Sequence, residues 1–127
     1  MREVTLKREN GDVVCDRCVV AASPFSRMKG LLGRSELRPG EGLLLRPASA
    51  IHTFFMRFPL DVAFLSREGL ALGVAEGVRP WRFARAPRDT KFVLELAAGQ
   101  AAAHGVVDGV QLEFDGGWET LSRRRRL

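Results

Sequence analysis

Residues 51–65, IHTFFMRFPLDVAFL, restrict the fold more than any other part of this chain. In an extended strand Ile51, Thr53, Phe55 and Arg57 share one face and His52, Phe54, Met56 and Phe58 the other, so large apolar groups project on both sides. A strand of this kind has to be covered twice, as an inner strand of a sheet with material packed on each face. Pro59 lacks the N–H that a central ladder needs, so Phe58-Pro59 is expected to mark a bend or a junction between strands.

The remaining chain supplies further strands. Val4–Leu6 and Asp12–Val20 read as a hairpin joined through Arg8-Glu9-Asn10-Gly11, where Asn-Gly supplies the positive φ of a tight turn. Leu43–Arg46, Leu70–Ala75 and Val110–Phe114 are short apolar runs bounded by turn residues. In Lys91–Leu96, Phe92, Leu94 and Leu96 face one way and Val93 and Glu95 the other. Ser23–Gly33 has a helical period with Ser23 as cap and Pro24 in the first turn, and the Ala-rich Ala97–His104 suits a short helical turn. No alternation of strands with long helices is present. The expected architecture is therefore mainly β, a single compact sandwich, jelly-roll-like or barrel-like domain with one or two short helices. It spans residues 1–120, with residues 121–127 as a basic, disordered tail.

Charge and length bound the class of function. The 127 residues carry a net charge of +5, of which Arg123, Arg124, Arg125 and Arg126 supply four, leaving +1 for everything else. The longest apolar run is too short and too interrupted for a membrane span, and MREVTLKREN is charged where a signal peptide is apolar. A cytoplasmic monomer with no membrane partner is expected.

Several groups are candidates for chemistry. Arg57 and Asp61 flank the Phe-Pro bend; they form either a buried ion pair or a guanidinium offered to an anion and oriented by the carboxylate. His52 and Thr53 lie just upstream, and a histidine on an apolar face is either a hydrogen-bonded core group or a ligand-contacting one. The segment from Arg79 to Lys91, Arg79-Pro80-Trp81-Arg82-Phe83-Ala84-Arg85-Ala86-Pro87-Arg88-Asp89-Thr90-Lys91, interleaves aromatics with basic residues, as single-strand nucleic-acid surfaces do. The bland alternative is a loop whose Trp81 and Phe83 cover the sheet while the arginine heads reach water. Cys15-Asp16-Arg17-Cys18 has the spacing of a redox dithiol or of half a zinc site. It lies in a Val-rich strand pattern rather than at a helix start, so two ordinary thiols are the expectation.

No phosphate loop, nucleophile elbow or H-E-x-x-H motif occurs, so no enzyme class, metal or cofactor is indicated. The primary expectation is a binding or accessory protein using His52, Thr53, Arg57, Asp61, Trp81 and Arg82 to recognise an anionic small molecule or peptide. One alternative is a nucleic-acid-binding protein using Arg79, Trp81, Arg82, Arg85, Arg88 and the tail Arg123–Arg126. Another is a His- or metal-assisted hydrolase using His52 with Asp61 or Glu95, with His104 as the second histidine.

Three motifs in order, RMKGLLGR at 27–34, HTFFMRFPLDV at 52–62 and LELAAG at 94–99, resemble the domain-of-unknown-function family DUF192. The resemblance spans about residues 12 to 114 and implies a small, mainly β domain of jelly-roll or sandwich type with no established activity. The family's acidic residue after a late glycine has no counterpart in Asp108-Gly109-Val110.

Overall fold

The computed structural model describes residues 2–21, 37–45, 50–52, 58–79 and 83–122. The expected helix at Ser23–Gly33 lies outside them. Nine strands are present among the described residues: β1 Arg2–Arg8, β2 Val13–Ala21, β3 Glu41–Leu45, β4 Ala50–His52, β5 Leu60–Leu65, β6 Ala71–Val78, β7 Phe83–Arg85, β8 Phe92–Ala97 and β9 Leu112–Glu113. Two one-turn helices follow the later strands, α1 Gln100–Ala103 and α2 Glu119–Ser122. The first falls in the Ala-rich segment; the second was not foreseen, because four residues carry no helical period.

Seven strands form one sheet in the order β6-β5-β8-β3-β2-β1-β9, while β4 and β7 make a separate two-stranded ribbon. The pairings are antiparallel except for β2 with β3, which run parallel. The first hairpin turns as its sequence requires: Gly11 sits at φ 92° and its N–H donates to the Arg8 carbonyl at 2.9 Å. The sheet curls until its two edges meet at one end. There Ala71 N–H donates to Val110 O, Gly109 N–H to Ala71 O and Leu112 N–H to Gly69 O, and Leu70 bridges Gln111. The result is a curled half-barrel, the barrel-like form of the expected mainly β architecture.

Both faces of this sheet are covered, which explains why β5 (LDVAFL) and β8 (FVLELA) are buried at every position. The concave face carries Leu6, Leu44, Ala63, Leu65, Phe92, Leu94 and Leu96 and is filled by residues from the last part of the chain, among them Ala101, Val106, Phe114, Trp118 and Leu121. Trp118 closes it: its indole N–H donates to Leu112 O at 2.7 Å, and its ring meets Phe114 edge-on at 4.9 Å and Phe92 at 5.1 Å. The second face carries Leu43, Leu45, Leu60, Val62, Phe64 and Val93, joined by Leu37 and Phe58, with Val78 and Ala86 packed against them. Phe58, after β4, and Ala86, after β7, both join this cluster, so the chain returns from each strand of the ribbon to the second face.

Candidate functional site

Strand register decides which polar side chains share a face. Asp61 is paired with Leu96 and Val62 with Glu95 across β5 and β8. Side chains alternate along each strand, so Asp61 projects with Leu96 toward the concave face, and Glu95 projects with Val62 and Val93 toward the other. Two carboxylates on adjacent strands are thus separated by the sheet itself. A hydrolase assembled from both is not an arrangement this register allows.

Asp61 is 1% exposed and accepts three backbone hydrogen bonds. Its Oδ1 takes Gly77 N–H at 2.8 Å, and its Oδ2 takes Gly99 N–H and Ala101 N–H, both at 2.9 Å. The first of these donors lies in a bulge of β6, where three steps from Ala75 to Val78 face two from Val62 to Leu60. The other two open the first turn of α1, whose N-cap, Gly99, has no side chain to offer. Asp61 therefore ties a bulge and a helix start to the centre of the sheet. A carboxylate has about four lone-pair sites, and three are used.

Glu95 stands in a different environment. It is 0% exposed, lies between Leu43 of β3 and Val62 of β5, and has Val93 and Ala97 on either side along its own strand and face. Both carboxylate oxygens are cut off from solvent. It is the only charged side chain among the described residues that is buried on this face, and it is not without a partner. Its alternation with Phe92, Leu94 and Leu96 was legible in the sequence. A lone acid in the apolar run FVLELA is the sequence signal that marks it.

The other expected site residues divide as follows. His52 is the last residue of β4, whose backbone pairs with Phe83 of β7 in the two-stranded ribbon, so the described start of the stretch expected as an inner strand lies outside the seven-stranded sheet. Phe83–Arg85, expected as part of a loop, is thus a strand. Thr53, Arg57, Trp81, Arg82 and Arg123–Arg126 lie outside the described residues, as does the expected Arg57–Asp61 contact. Arg79, Arg85, Arg88 and Lys91 are exposed. His104 sits at the end of α1 with Nε2 3.1 Å from Gln100 Oε1. Among the described residues no three His, Cys, Asp or Glu side chains are grouped as a metal site requires, and no helix is long and apolar enough to cross a membrane.

Cys15 and Cys18 are both free thiols and both fully buried. The Cys18 thiol is pushed well above its ordinary value by a hydrogen bond with the Cys15 side chain, then by burial and by the charge of Cys15.

Residues 5–114 match the family model DUF192, described as "Uncharacterized ACR". No curated protein matches the chain. Two solved structures share its fold. A protein from Sinorhizobium meliloti 1021, named as a suggested transcription regulator, is 26% identical, with a TM-score of 0.76 over 90% of this chain and 93% of that one. A protein of unknown function from Novosphingobium aromaticivorans DSM 12444 is also 26% identical, with a TM-score of 0.73 over 87% of this chain and 83% of that one.

Proposed function

Because this chain belongs to the DUF192 family of uncharacterised proteins, we propose that it is a binding or accessory domain whose site is built on the motif from His52 to Asp61 and takes an anionic small molecule or peptide. The observation that carries this reading is the burial of Glu95 on the face to which the motif returns at Phe58. An ionised carboxylate in an apolar setting costs several kcal/mol unless a cation and hydrogen-bond donors meet it. Arg57, directly before Phe58, is the cation we assign to it. A guanidinium has five N–H donors in a planar fork, more than one carboxylate accepts, so the far edge of Arg57 remains available for a second anion. In this reading His52 and Thr53 would add polar contacts. Trp81 and Arg82 lead directly into Phe83, the strand partner of His52, and would wall the same site. In this reading Asp61 is the scaffold of the motif and Glu95 orients its arginine.

The test is thermal unfolding of the full chain with inorganic phosphate, acetate, citrate and a short peptide bearing a free carboxylate. A ligand at a hundredfold excess over its Kd stabilises by about 2.7 kcal/mol. At least one of these anions should raise the melting temperature, and Arg57→Ala should abolish that rise. Arg57→Ala should also destabilise the fold more in the presence of Glu95 than in the Glu95→Gln background. A chain indifferent to all four probes, or a response that survives Arg57→Ala, would remove the reading.

A second reading, contact with nucleic-acid phosphates, is favoured by the exposure of Arg85, Arg88 and Lys91 along one segment. The name given to the Sinorhizobium meliloti protein points the same way.

A further inference from the structure

In a regular strand, residues three apart project to opposite faces. Cys15 and Cys18 do not: both are 0% exposed and both belong to the cluster on the concave face. The cause is a bulge. Pairing with β1 runs from Leu6↔Cys15 to Val4↔Cys18, so three steps on β2 oppose two on β1. Asp16 and Arg17 share the space of one residue, their side chains exposed and their N–H groups both donating to Gly40 O, at 3.1 and 2.9 Å. The extra residue turns Cys18 inward onto the face of Cys15, whose thiol donates to Gly40 O at 3.4 Å. Room for the sulfurs comes from the neighbouring strand. Gly42 is the partner of Cys18 in the register with β3, and a methyl group on it would lie 2.7 Å from Cys15 Sγ.

We propose that Cys15 and Cys18 are a redox-modification site, a dithiol that closes to an intrastrand disulfide across the bulge when met by a low-molecular-weight disulfide. Two other uses of the pair fit less well. Binding a soft monovalent metal ion would require two thiolates, and the complex's net charge of −1 would sit among Val4, Leu6, Val14 and Leu44. The disulfide, like the two thiols it replaces, is neutral and suits that apolar setting. Ordinary core packing needs neither the bulge that aligns the sulfurs nor the missing side chain at position 42.

The reaction is thiol–disulfide exchange. One cysteine, as thiolate, attacks a sulfur of the small disulfide RSSR and expels one RS⁻, which takes up the proton the cysteine lost. The second cysteine, having given up its own proton, attacks the protein sulfur of the mixed disulfide, expelling the second RS⁻, which takes that proton. Two S–H bonds are lost from the protein, one S–S bond forms, and two electrons pass to RSSR, leaving two RSH. Burial makes the step depend on local opening of the β1–β2 hairpin, so exchange is slow in the closed state. Once formed, the bond holds the bulge shut.

The full chain is equilibrated in buffers of graded reduced and oxidised glutathione, once folded and once in urea, then acid-quenched, alkylated and weighed. A CxxC peptide closes to some extent without any fold, so the comparison between the two conditions isolates what the structure contributes. The folded protein should lose the mass of two hydrogens and take up no alkylating agent. Its Cys15–Cys18 bond should form at a glutathione ratio at least about tenfold more reducing than in urea, and dithiothreitol should reverse it. Two free thiols, glutathione adducts in place of the internal bond, or a midpoint no more reducing than in urea would each overturn the proposal.

Discussion

Asp61 shows how a single residue's function depends on partners far away in sequence. Its donors are Gly77, Gly99 and Ala101, and no local pattern around FPLDV announces them. The stretch did announce that a charge stood in an apolar run and so required compensation. Asp61→Asn isolates the effect. Asn can keep its oxygen toward Gly99 and Ala101, but its amide then faces the Gly77 N–H. Losing a hydrogen bond to a charged acceptor and setting two donors against each other costs about 2 kcal/mol. Urea denaturation should show that loss, with the Gly77 amide resonance among the most shifted. An unchanged midpoint would mean that the carboxylate is not holding the bulge. Glu95 is the opposite case: its face could be read from the alternation of FVLELA, but its complete burial could not, because burial depends on what covers the sheet.

At the scale of elements, period-two alternation was a sound guide wherever strands were regular and failed where they were bulged. β8 followed its pattern residue by residue. β2 did not: its bulge puts Cys15 and Cys18, three residues apart, on one face. The tight turn between β5 and β6 is equally specific. Gly69 has φ 85°, and a Cβ there would collide with the Trp118 indole. Gly69→Ala therefore combines left-handed strain with overpacking against the ring that closes the concave core, a loss on the order of 3 kcal/mol. Calorimetry and the fluorescence of Trp118 should report it together; a stable protein with unshifted emission would show that the indole can move aside at little cost. Arg67-Glu68-Gly69 has the polar, glycine-ended composition of a turn. That a tryptophan near the end of the chain packs over it was not evident.

For the whole molecule, net charge and shape make separate contributions. The +5 charge resides mostly in the last residues, Arg123–Arg126, while Arg85, Arg88 and Lys91 add an exposed basic segment on the folded part. If the two act together on phosphates, binding of a labelled single-stranded oligonucleotide should weaken steeply with salt. Deleting residues 123–126 should then flatten the slope by about one counterion for each phosphate that the tail had neutralised. Absence of binding at low salt would confine the basic residues to solubility. The curl of the sheet belongs to this scale too. Hydrogen bonds between Gly69–Ala71 and Gly109–Leu112 bring distant edges together, and C-terminal residues fill the concave face they enclose.

The sequence by itself determined that the chain is mainly β, that Asn10-Gly11 turns a hairpin and that the His52–Asp61 motif marks a family. These follow from local rules: alternation, the φ preferences of glycine and proline, and the cost of leaving apolar groups in water. Tertiary structure alone decided that Asp61 and Glu95 stand on opposite sides of the sheet and that Cys15 and Cys18 share one. The physical reason is that which way a side chain points in a sheet depends on register and bulges, and those are set by partner strands that no local window contains.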